Sequence, residues 1–543
     1  MDLRKFEQEF KGRTLTGPKI KDYCRDASIF EICPEAVTYP KDASDLYTLV
    51  RFVIDERSRD PSVSLTARSA GTDMTGGPLN DSIILDFTRY FKNIVYIGLD
   101  KAVVQPGVYY RDFEKEASKR DLLLPSYPAS KELCTVGGMV ANNSGGEKSL
   151  LYGKTERYTK KLKVVLSDGH EYIFEPLNKD QLEEKKKMHT FEGRIYREIY
   201  DLIEEQYDLI QKARPSVSKN SAGYALWNVW NRETFDLTKL FVGSQGTLGL
   251  ITEITFQLVK PNPFCQLLVI FLNDLKPLGQ VIKTVNSFKP ESFESFDQHT
   301  FKLALRFLPY MIKKMKGGAF SLFFQFLPEV GMVLRGGIPQ LVLIAEFSAQ
   351  TQKEASDQAW ACSQALEKEF KIKTHLAKDK KEADKYWTIR RESYSLLRKI
   401  SKKTQPAPFI DDIVVPPEVL SEFLPKLDVI LDHYPHLTYT IAGHAGEGNF
   451  HIIPFMDLRN NKDRSIIPEL SQKVYDLVIS YHGSITGEHN DGLIRTPFLE
   501  QMYGHEIVEL FKRVKNIFDP QNIFNPGKKV GGSKEYALSH IHR

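Results

Sequence analysis

The sequence predicts an α+β protein of two lobes completed by a helical C-terminal segment. Three observations carry that reading. From about Pro34 to Pro261, short alternating apolar runs are broken by glycine-rich turns, the pattern of strands. After Pro261-Asn262-Pro263, strand-like runs alternate with amphipathic helix patterns in a β-α-β-β manner, which suggests an α+β cap domain on an antiparallel sheet. From Ile466 to Arg543 the pattern is mainly helical. The expected domains are therefore residues 1–261, 262–465 and 466–543. A chain of 543 residues is too long for one ordinary core, at ~150 residues per domain.

In the first region, Ser82–Phe87, Tyr158–Gly169 and Gly249–Val259 read as strands. Helix patterns begin at Asp42, an N-cap preceded by Pro40, and at Asp112. The polar stretch NKDQLEEKKKMHTFEGR from Asn178 reads as a solvated helix or insertion. In the second region CQLLVIFL, PQLVLIAEF and LTYTIAG are expected strands, and KEASDQAWACSQALEKEF an expected helix. The apolar stretch Gly317–Gly337 fits neither element. It is a buried cap segment, or an exposed patch touching membrane or partner, and burial is preferred.

Charged residues at 27%, hydrophobic ones at 41% and a net charge of +4 describe an ordinary globular chain with no nucleic-acid signature. The N-terminus lacks an apolar signal region, and Asp2, Glu7 and Glu9 speak against a transit peptide. No apolar run approaches the ~20 residues of a membrane span. The five cysteines, Cys24, Cys33, Cys134, Cys265 and Cys362, form no C-x-x-C pair, against an iron–sulfur cluster or a cysteine zinc site. Read as free thiols, they fit a reducing compartment. The expected location is the cytoplasm, with peripheral contact at the inner membrane left open.

Three glycine-rich segments carry binding chemistry. ARSAGTDMTGG, Ala67–Gly77, follows the strand-like SVSLT; its small residues let backbone N–H groups face a diphosphate. It is not G-x-G-x-x-G, and no helix pattern follows, so a Rossmann reading fails. The second segment, Pro125–Thr155, offers tight turns at Thr135, Gly137, Gly138, Gly145 and Gly146. Its Asn142, Asn143 and Ser144 can hydrogen-bond a ring edge or a phosphate. The third, Phe241–Ile254, is a turn leading into a strand.

Two further motifs carry ionisable groups. In GHAGEGNFHIIP, Gly443–Pro454, a two-residue turn at Glu447-Gly448 would make His444 and His451 a directly opposed cross-strand pair. Both imidazoles would then reach one ion. GSITGEHNDGLIR, Gly483–Arg495, adds Glu488 and His489. Two His and one carboxylate form a common catalytic Zn²⁺ shell with an open position. A lone His would read as an ordinary hydrogen-bonded residue; the pairing with a GEH triplet reverses that.

Together the glycine-rich segments resemble the vanillyl-alcohol-oxidase/PCMH family of FAD-binding proteins, from DASIFEICPEAVTYPKDASDL to FDPQNIFNPGK. The resemblance implies a two-lobed PCMH-type FAD-binding domain. It implies that Arg68, Ser69, Ala70, Gly71, Thr72, Asp73, Thr75 and Gly76 cradle the FAD diphosphate. Pro125, Ser130, Thr135, Gly138, Asn142 and Gly145 would line the flavin, Ile251 would meet the adenine side, and Asn525 would add a cofactor contact. Gln245 stands where relatives usually have Glu, and Asp73 where many have Ser. No His lies in the Gly71 loop, where covalent members attach the flavin, so FAD is expected to be non-covalent.

The histidine motifs resemble the metal-containing branch that includes glycolate oxidase, D-lactate dehydrogenase and D-2-hydroxyglutarate dehydrogenase. That resemblance implies His444, His451 and Glu488 as ligands of a divalent ion, Zn²⁺ being the expected one, and His489 as catalytic base. It also implies that Arg390, in YWTIRRESY, grips the substrate carboxylate, a task suited to a guanidinium fork, with Arg391 as its rival. On spacing alone, both arginines would read as solvated or paired helix residues. KNSAGYALWNVW, Lys219–Trp230, resembles the flavin halves of larger FAD/iron–sulfur dehydrogenases. Without a cysteine-rich half, electrons are expected to leave to a quinone, a cytochrome or an electron-transfer protein. The implied activity is oxidation of a small D-2-hydroxy acid to the 2-keto acid. A transferase of the alkylglycerone-phosphate-synthase type is the alternative, and a non-catalytic FAD electron-transfer subunit, which would lack both histidine motifs, ranks lower. The 2-hydroxyglutarate enzymes carry a Thr four residues after the substrate Arg and a Lys before a D-x-x-x-P strand. If FIDDIVVP, Phe409–Pro416, is that strand, Tyr394 and Ile410 stand there instead. This favours D-lactate over the diacid unless Lys402 or Lys403 supplies the charge.

Overall fold

The computed structural model describes residues 2–298, 300, 338–397 and 404–542. The apolar stretch 317–337, Lys402, Lys403 and the side chain of Tyr394 lie outside the described residues.

Two sheets build the N-terminal region. The first orders Arg13–Leu15, Ala36–Tyr39, Ile83–Asp86 and Leu65–Arg68, with the last three parallel. The second is antiparallel, in the order Ile94–Ile97, Lys101–Val104, Leu250–Gln257, Thr159–Val165 and Glu171–Phe174. Leu250–Gln257 buries every second side chain, as a strand with one face on a core must. The helix Ala43–Arg57 packs Leu46, Leu49, Val50 and Val53 on the first sheet, and Asp42 caps it by accepting from the Asp45 N–H. The polar stretch from Asn178 becomes two helices, Lys179–Lys187 and the amphipathic Phe191–Glu205, whose apolar face enters the core.

The third sheet, in the cap, is antiparallel throughout. Its order is Thr374–Leu376, Phe264–Leu272, Leu341–Ala349, Ser292–Asp297, Thr438–His444, Asn449–Met456 and Gln405–Pro406, with Ile413–Val414 also paired to Asn449–Met456. The α+β class and its antiparallel cap sheet thus stand as expected. The C-terminal segment returns to the first region: the helix His505–Phe518 buries Phe511, Val514 and Phe518 in the core of the N-terminal lobe, and Phe524 bridges to Leu65. The GEH motif therefore lies on a strap running from the cap sheet back to the cofactor lobe.

Two expectations need correction. Cys24 and Cys33 are joined by a disulfide, and only Cys134, Cys265 and Cys362 are free thiols. The inference from scattered thiols to a reducing compartment loses its basis. The hairpin turn is also longer than two residues. His444 pairs with Asn449 and Ala442 with His451, so Ala445–Gly448 form a four-residue loop. Gly448 has φ +66°, and a Cβ there would lie 1.9 Å from the Val415 carbonyl oxygen, which fixes the bend at this position. The two histidines are diagonal neighbours on one face, not an opposed pair, with ring centroids 5.3 Å apart.

Candidate active site

A cavity of about 1210 Å³ runs from the glycine-rich loops to the cap sheet. Of the residues expected at a cofactor, Arg68, Ser69, Gly71, Thr72, Asp73, Ser130, Thr135, Gly138, Asn142, Gly145 and Ile251 line it. Ala70, Thr75, Gly76, Pro125 and Asn525 are not on its wall. Thr75 instead donates its hydroxyl to Asp73 Oδ1, 2.7 Å. Asn525 ties the loops from behind, donating to the Gly77 and Gln245 carbonyls at 2.9 and 2.7 Å.

The loop shape follows from Asp73. Its Oδ1 also accepts from the N–H groups of Thr75 and Gly77, at 2.7 and 3.1 Å. Its Oδ2 accepts from Asn142 Nδ2 at 2.8 Å, joining the first glycine-rich segment to the second. There Thr135 caps the helix Val136–Asn142 and accepts from the Gly138 N–H while donating to Ser69 Oγ at 2.6 Å. The guanidinium of Arg68 donates to the carbonyls of Tyr23 and Arg25, so the segment beside the disulfide anchors the loop. A chamber of this size, edged by the small residues of the glycine-rich turns, fits a dinucleotide such as FAD.

At the cap end, Gly145 touches the second constellation: a Cβ there would lie 2.9 Å from Glu488 Oε2. His444 Nε2 lies 3.1 Å, and His451 Nε2 3.6 Å, from Glu488 Oε1. One ligand atom from each of these three residues lies within 4.8 Å of the other two. Each ring is held from its far side by a carboxylate: His444 Nδ1 is 2.5 Å from Glu294 Oε1, and His451 Nδ1 is 3.0 Å from Asp411 Oδ1. Imidazoles oriented by carboxylates, with their Nε2 atoms turned to a common point, are the donor set a divalent cation takes, so these residues fit one. Asp411, His451 and His489 form a second group of this kind. There the close contacts run through Nδ1 atoms to the orienting carboxylate, which favours the first set.

Burial pulls the His444 pKa down, but Glu294 overrides it and raises it to about 9. Glu488 is held well below the usual carboxylate range: burial opposes this, but Lys219 and His444 outweigh it. Lys219, fully buried, places Nζ 2.8 Å from Glu447 Oε2 and 2.9 Å from Glu488 Oε2.

Asp411 and Asp412 organise the GEH loop. Asp412, at φ +65°, accepts on Oδ2 from the N–H groups of Glu488 and His489, at 2.9 and 2.8 Å. Asp411 Oδ2 lies 2.8 Å from His489 Nδ1, leaving Nε2 as the ring's other proton site, on a residue of the cavity wall. Burial lowers the basicity of His489, yet Asp412 and Asp411 raise its pKa to about 9. Arg390 and Arg391 both reach the wall. Arg390 Nε is 3.0 Å from Glu294 Oε2, whereas Arg391 forms a two-pronged pair with Glu147 and lies over the Trp387 ring, 4.6 Å from its centroid.

Four residues of this site escaped sequence reading: Glu294, Asp411, Asp412 and Lys219. The only local signals were a glutamate in the fully buried strand Ser292–Asp297 and adjacent acids before another strand. Ile410 is fully buried in the cap core and not on the cavity wall, so it forms no part of the substrate pocket.

Residues 34–174 match the FAD binding domain, and residues 264–529 match the C-terminal domain of FAD linked oxidases. The chain is 26% identical over 510 residues to a D-2-hydroxyglutarate dehydrogenase of Pseudomonas putida, covering 93% of this chain and 49% of that protein. It therefore spans about half the length of that relative. It is 26% identical over 546 residues to a D-lactate dehydrogenase of Anaerostipes hadrus, covering 97% of this chain and 96% of that one. Among solved structures, p-cresol methylhydroxylase with substrate bound shares the fold with a TM-score of 0.68 at 15% identity, over 97% of this chain and 96% of that one.

Proposed function

Because the chain belongs to the FAD-linked oxidases, we propose that it oxidises a small D-2-hydroxy acid of the D-lactate type to the 2-keto acid. One observation carries the reading. The Nε2 atoms of His444 and His451 and Oε1 of Glu488 converge, with Arg390 and His489 nearby, on the wall of the chamber that the glycine-rich loops edge. Near-complete matches in length to a D-lactate dehydrogenase and to a D-2-hydroxyglutarate dehydrogenase support a D-2-hydroxy acid as the substrate class.

FAD, held without a covalent bond, supplies a hydride acceptor, and a divalent ion, Zn²⁺ by donor type, supplies Lewis acidity that lowers the hydroxyl pKa. The Asp73-shaped loop and the Thr135–Gly145 segment hold the dinucleotide. His444, His451 and Glu488 hold the ion. Arg390 pairs with the substrate carboxylate through its guanidinium fork, and Glu294 keeps that fork in place. His489, fixed by Asp411 through Nδ1, takes the hydroxyl proton at Nε2. Against the effect of burial, Asp412 and Asp411 raise the pKa of His489 to about 9, so the imidazole acts as a base in the fraction that has shed its proton. Electrons then pass to a quinone, a cytochrome or an electron-transfer protein. No described helix is long and apolar enough to cross a membrane.

An anaerobic titration of the Zn²⁺-loaded protein with a panel of D- and L-2-hydroxy acids tests this. D-Lactate is expected to bleach the visible flavin band and L-lactate to leave it. A flavin that stays oxidised with every D-2-hydroxy acid rejects the proposal.

A further inference from the structure

Lys219 comes from the cofactor lobe, in the segment between the helices Tyr207–Lys212 and Leu226–Asn228, yet its ammonium group sits among cap and C-terminal residues. Its Nζ lies 2.8 Å from Glu447 Oε2, 2.9 Å from Glu488 Oε2 and 3.4 Å from Asn449 Oδ1. A buried ammonium is costly unless every proton finds an acceptor, and these three meet that need. The segment is held by the same loop it serves: the Ser221 N–H donates to the Thr486 carbonyl at 3.0 Å and the Gly223 N–H to Asp491 Oδ2 at 2.9 Å.

The consequence concerns the carboxylates. Glu488 turns Oε1 to the two histidines while Oε2 is tied to Lys219. Glu447, buried in the loop that follows His444, is tied to the same ammonium group. We propose that Lys219 is a positioning residue that rations carboxylate oxygens. By holding Oε2 of Glu488, it leaves that carboxylate one oxygen for the ion beside the two histidines and keeps open the positions that a hydroxy acid must fill.

This rests on the reading of His444, His451 and Glu488 as metal ligands. A mere strut would act with the opposite sign. If Lys219 only braced Glu488, its loss would loosen a ligand and weaken metal binding, as loss of outer-shell partners commonly does. If it withholds that oxygen, its loss removes a cation from beside the ion and frees Oε2 of Glu488 as a further hard donor. Binding then tightens while the substrate positions close.

The test uses the full chain with FAD bound and Co²⁺ as the probe, since its visible spectrum reports coordination number. In chelator competition, Lys219→Met is expected to bind Co²⁺ at least about tenfold more tightly than the unmodified protein, a shift of the size outer-shell changes produce. Its visible band should weaken toward that of a higher coordination number. Oxalate, a two-oxygen mimic of the hydroxy acid, should perturb the unmodified spectrum and leave that of Lys219→Met unchanged. Lys219→Arg keeps the charge and should keep the unmodified spectrum. Should Lys219→Met fail to retain FAD, Lys219→Gln removes the charge with less disturbance and carries the same expectation. Unchanged or weaker Co²⁺ binding in the FAD-loaded neutral variant overturns the proposal. Co²⁺ binding that survives His444→Ala intact, or is absent from the unmodified protein, overturns the metal reading itself and this inference with it.

Discussion

Gln245 Nε2 lies 3.5 Å from Asp73 Oδ2, and the same carboxylate oxygen accepts from Asn142 at 2.8 Å. These are the two positions expected from the family resemblance to carry Glu and Ser, and the contact couples them. The amide of Gln245 donates toward Asp73 and accepts from the Gly492 N–H at 2.9 Å; a Glu could still accept from Gly492 but would set a second carboxylate against Asp73. Gln245→Glu is expected to cost ~1–3 kcal/mol through the unpaired buried charge and to speed FAD loss. Asp73→Ser in the same chain should recover much of that, with a coupling of at least ~1 kcal/mol. Thermal melting and FAD dissociation rates of the four proteins form the cycle. Strictly additive effects would show that the two positions do not sense each other.

The disulfide gives a second prediction. Cys24 and Cys33 close a short loop, nine residues apart in sequence. That loop carries the Arg25 carbonyl that accepts from Arg68 and the Ala27 N–H that donates to the Asp73 carbonyl at 2.9 Å. Cys33→Ser is expected to lose about 2–3 kcal/mol by the chain-entropy account of so short a loop and to release FAD faster. A reducing agent should have the same effect on the unmodified protein and none on the variant. Equal FAD release with and without reductant in the unmodified protein would remove the link between this bond and the cofactor loop.

These residues also show which parts of the site sequence reading reaches. Glycine-rich loops, the H-x6-H strand pair and the GEH triplet are local: each sets several contacting groups within a dozen residues. Their spacing therefore speaks for itself. Glu294, Asp411 and Lys219 act across roughly 40 to more than 260 residues of chain, and nothing in their own segments marks a partner. Glu294 is one of four polar residues in the strand Ser292–Asp297, and nothing in that run singles it out. Asp411 and Asp412 sit in a run that is legible as a strand start, and Ile410, given weight for specificity, turns into the core. The hairpin failed for a different reason. AGEG contains two glycines, so a two-residue and a four-residue turn fit the letters equally; the close approach of Val415 to Gly448 decides between them.

Asp26 predicts a pH dependence. Burial, then repulsion from Asp73, raises its pKa to about 7, while Gly76 N–H donates to it at 3.1 Å. The folded state therefore binds this proton more tightly than the unfolded chain, where a carboxyl titrates near ~3.9. The sign follows: Asp26 contributes stability below about pH 4, and that contribution is lost as pH rises toward 7. In Asp26→Asn the melting temperature should vary less between pH 4 and pH 8. The lost hydrogen bond from Gly76 adds a constant offset and leaves the slope as the readout. Parallel curves for the two proteins would contradict the raised pKa.

The last prediction concerns substrate size. With Ile410 in the core, discrimination between D-lactate and D-2-hydroxyglutarate is assigned, among the described residues, to cations on the wall, of which Arg390 and Arg391 come from the cap helix Lys380–Leu397. Arg390 is the nearer to the ligand cluster, sharing Glu294 with His444, and is the one proposed for the carboxylate that both substrates carry. A second carboxylate needs a second cation, and Arg391 is bound in two-pronged fashion to Glu147 at 2.8 and 3.1 Å. Arg391 is half exposed, so that pair is worth no more than about 1 kcal/mol. Breaking it adds to the cost of drying an extra charge. D-Lactate should therefore be preferred in kcat/KM by about tenfold or more, equivalent to ~1.4 kcal/mol. Glu147→Gln frees Arg391 and is expected to raise kcat/KM for the diacid severalfold while leaving D-lactate unchanged. A diacid preference in the unmodified protein would mean that a cation other than these two faces the distal end of the pocket. No gain in the variant would remove Arg391 from the account of specificity.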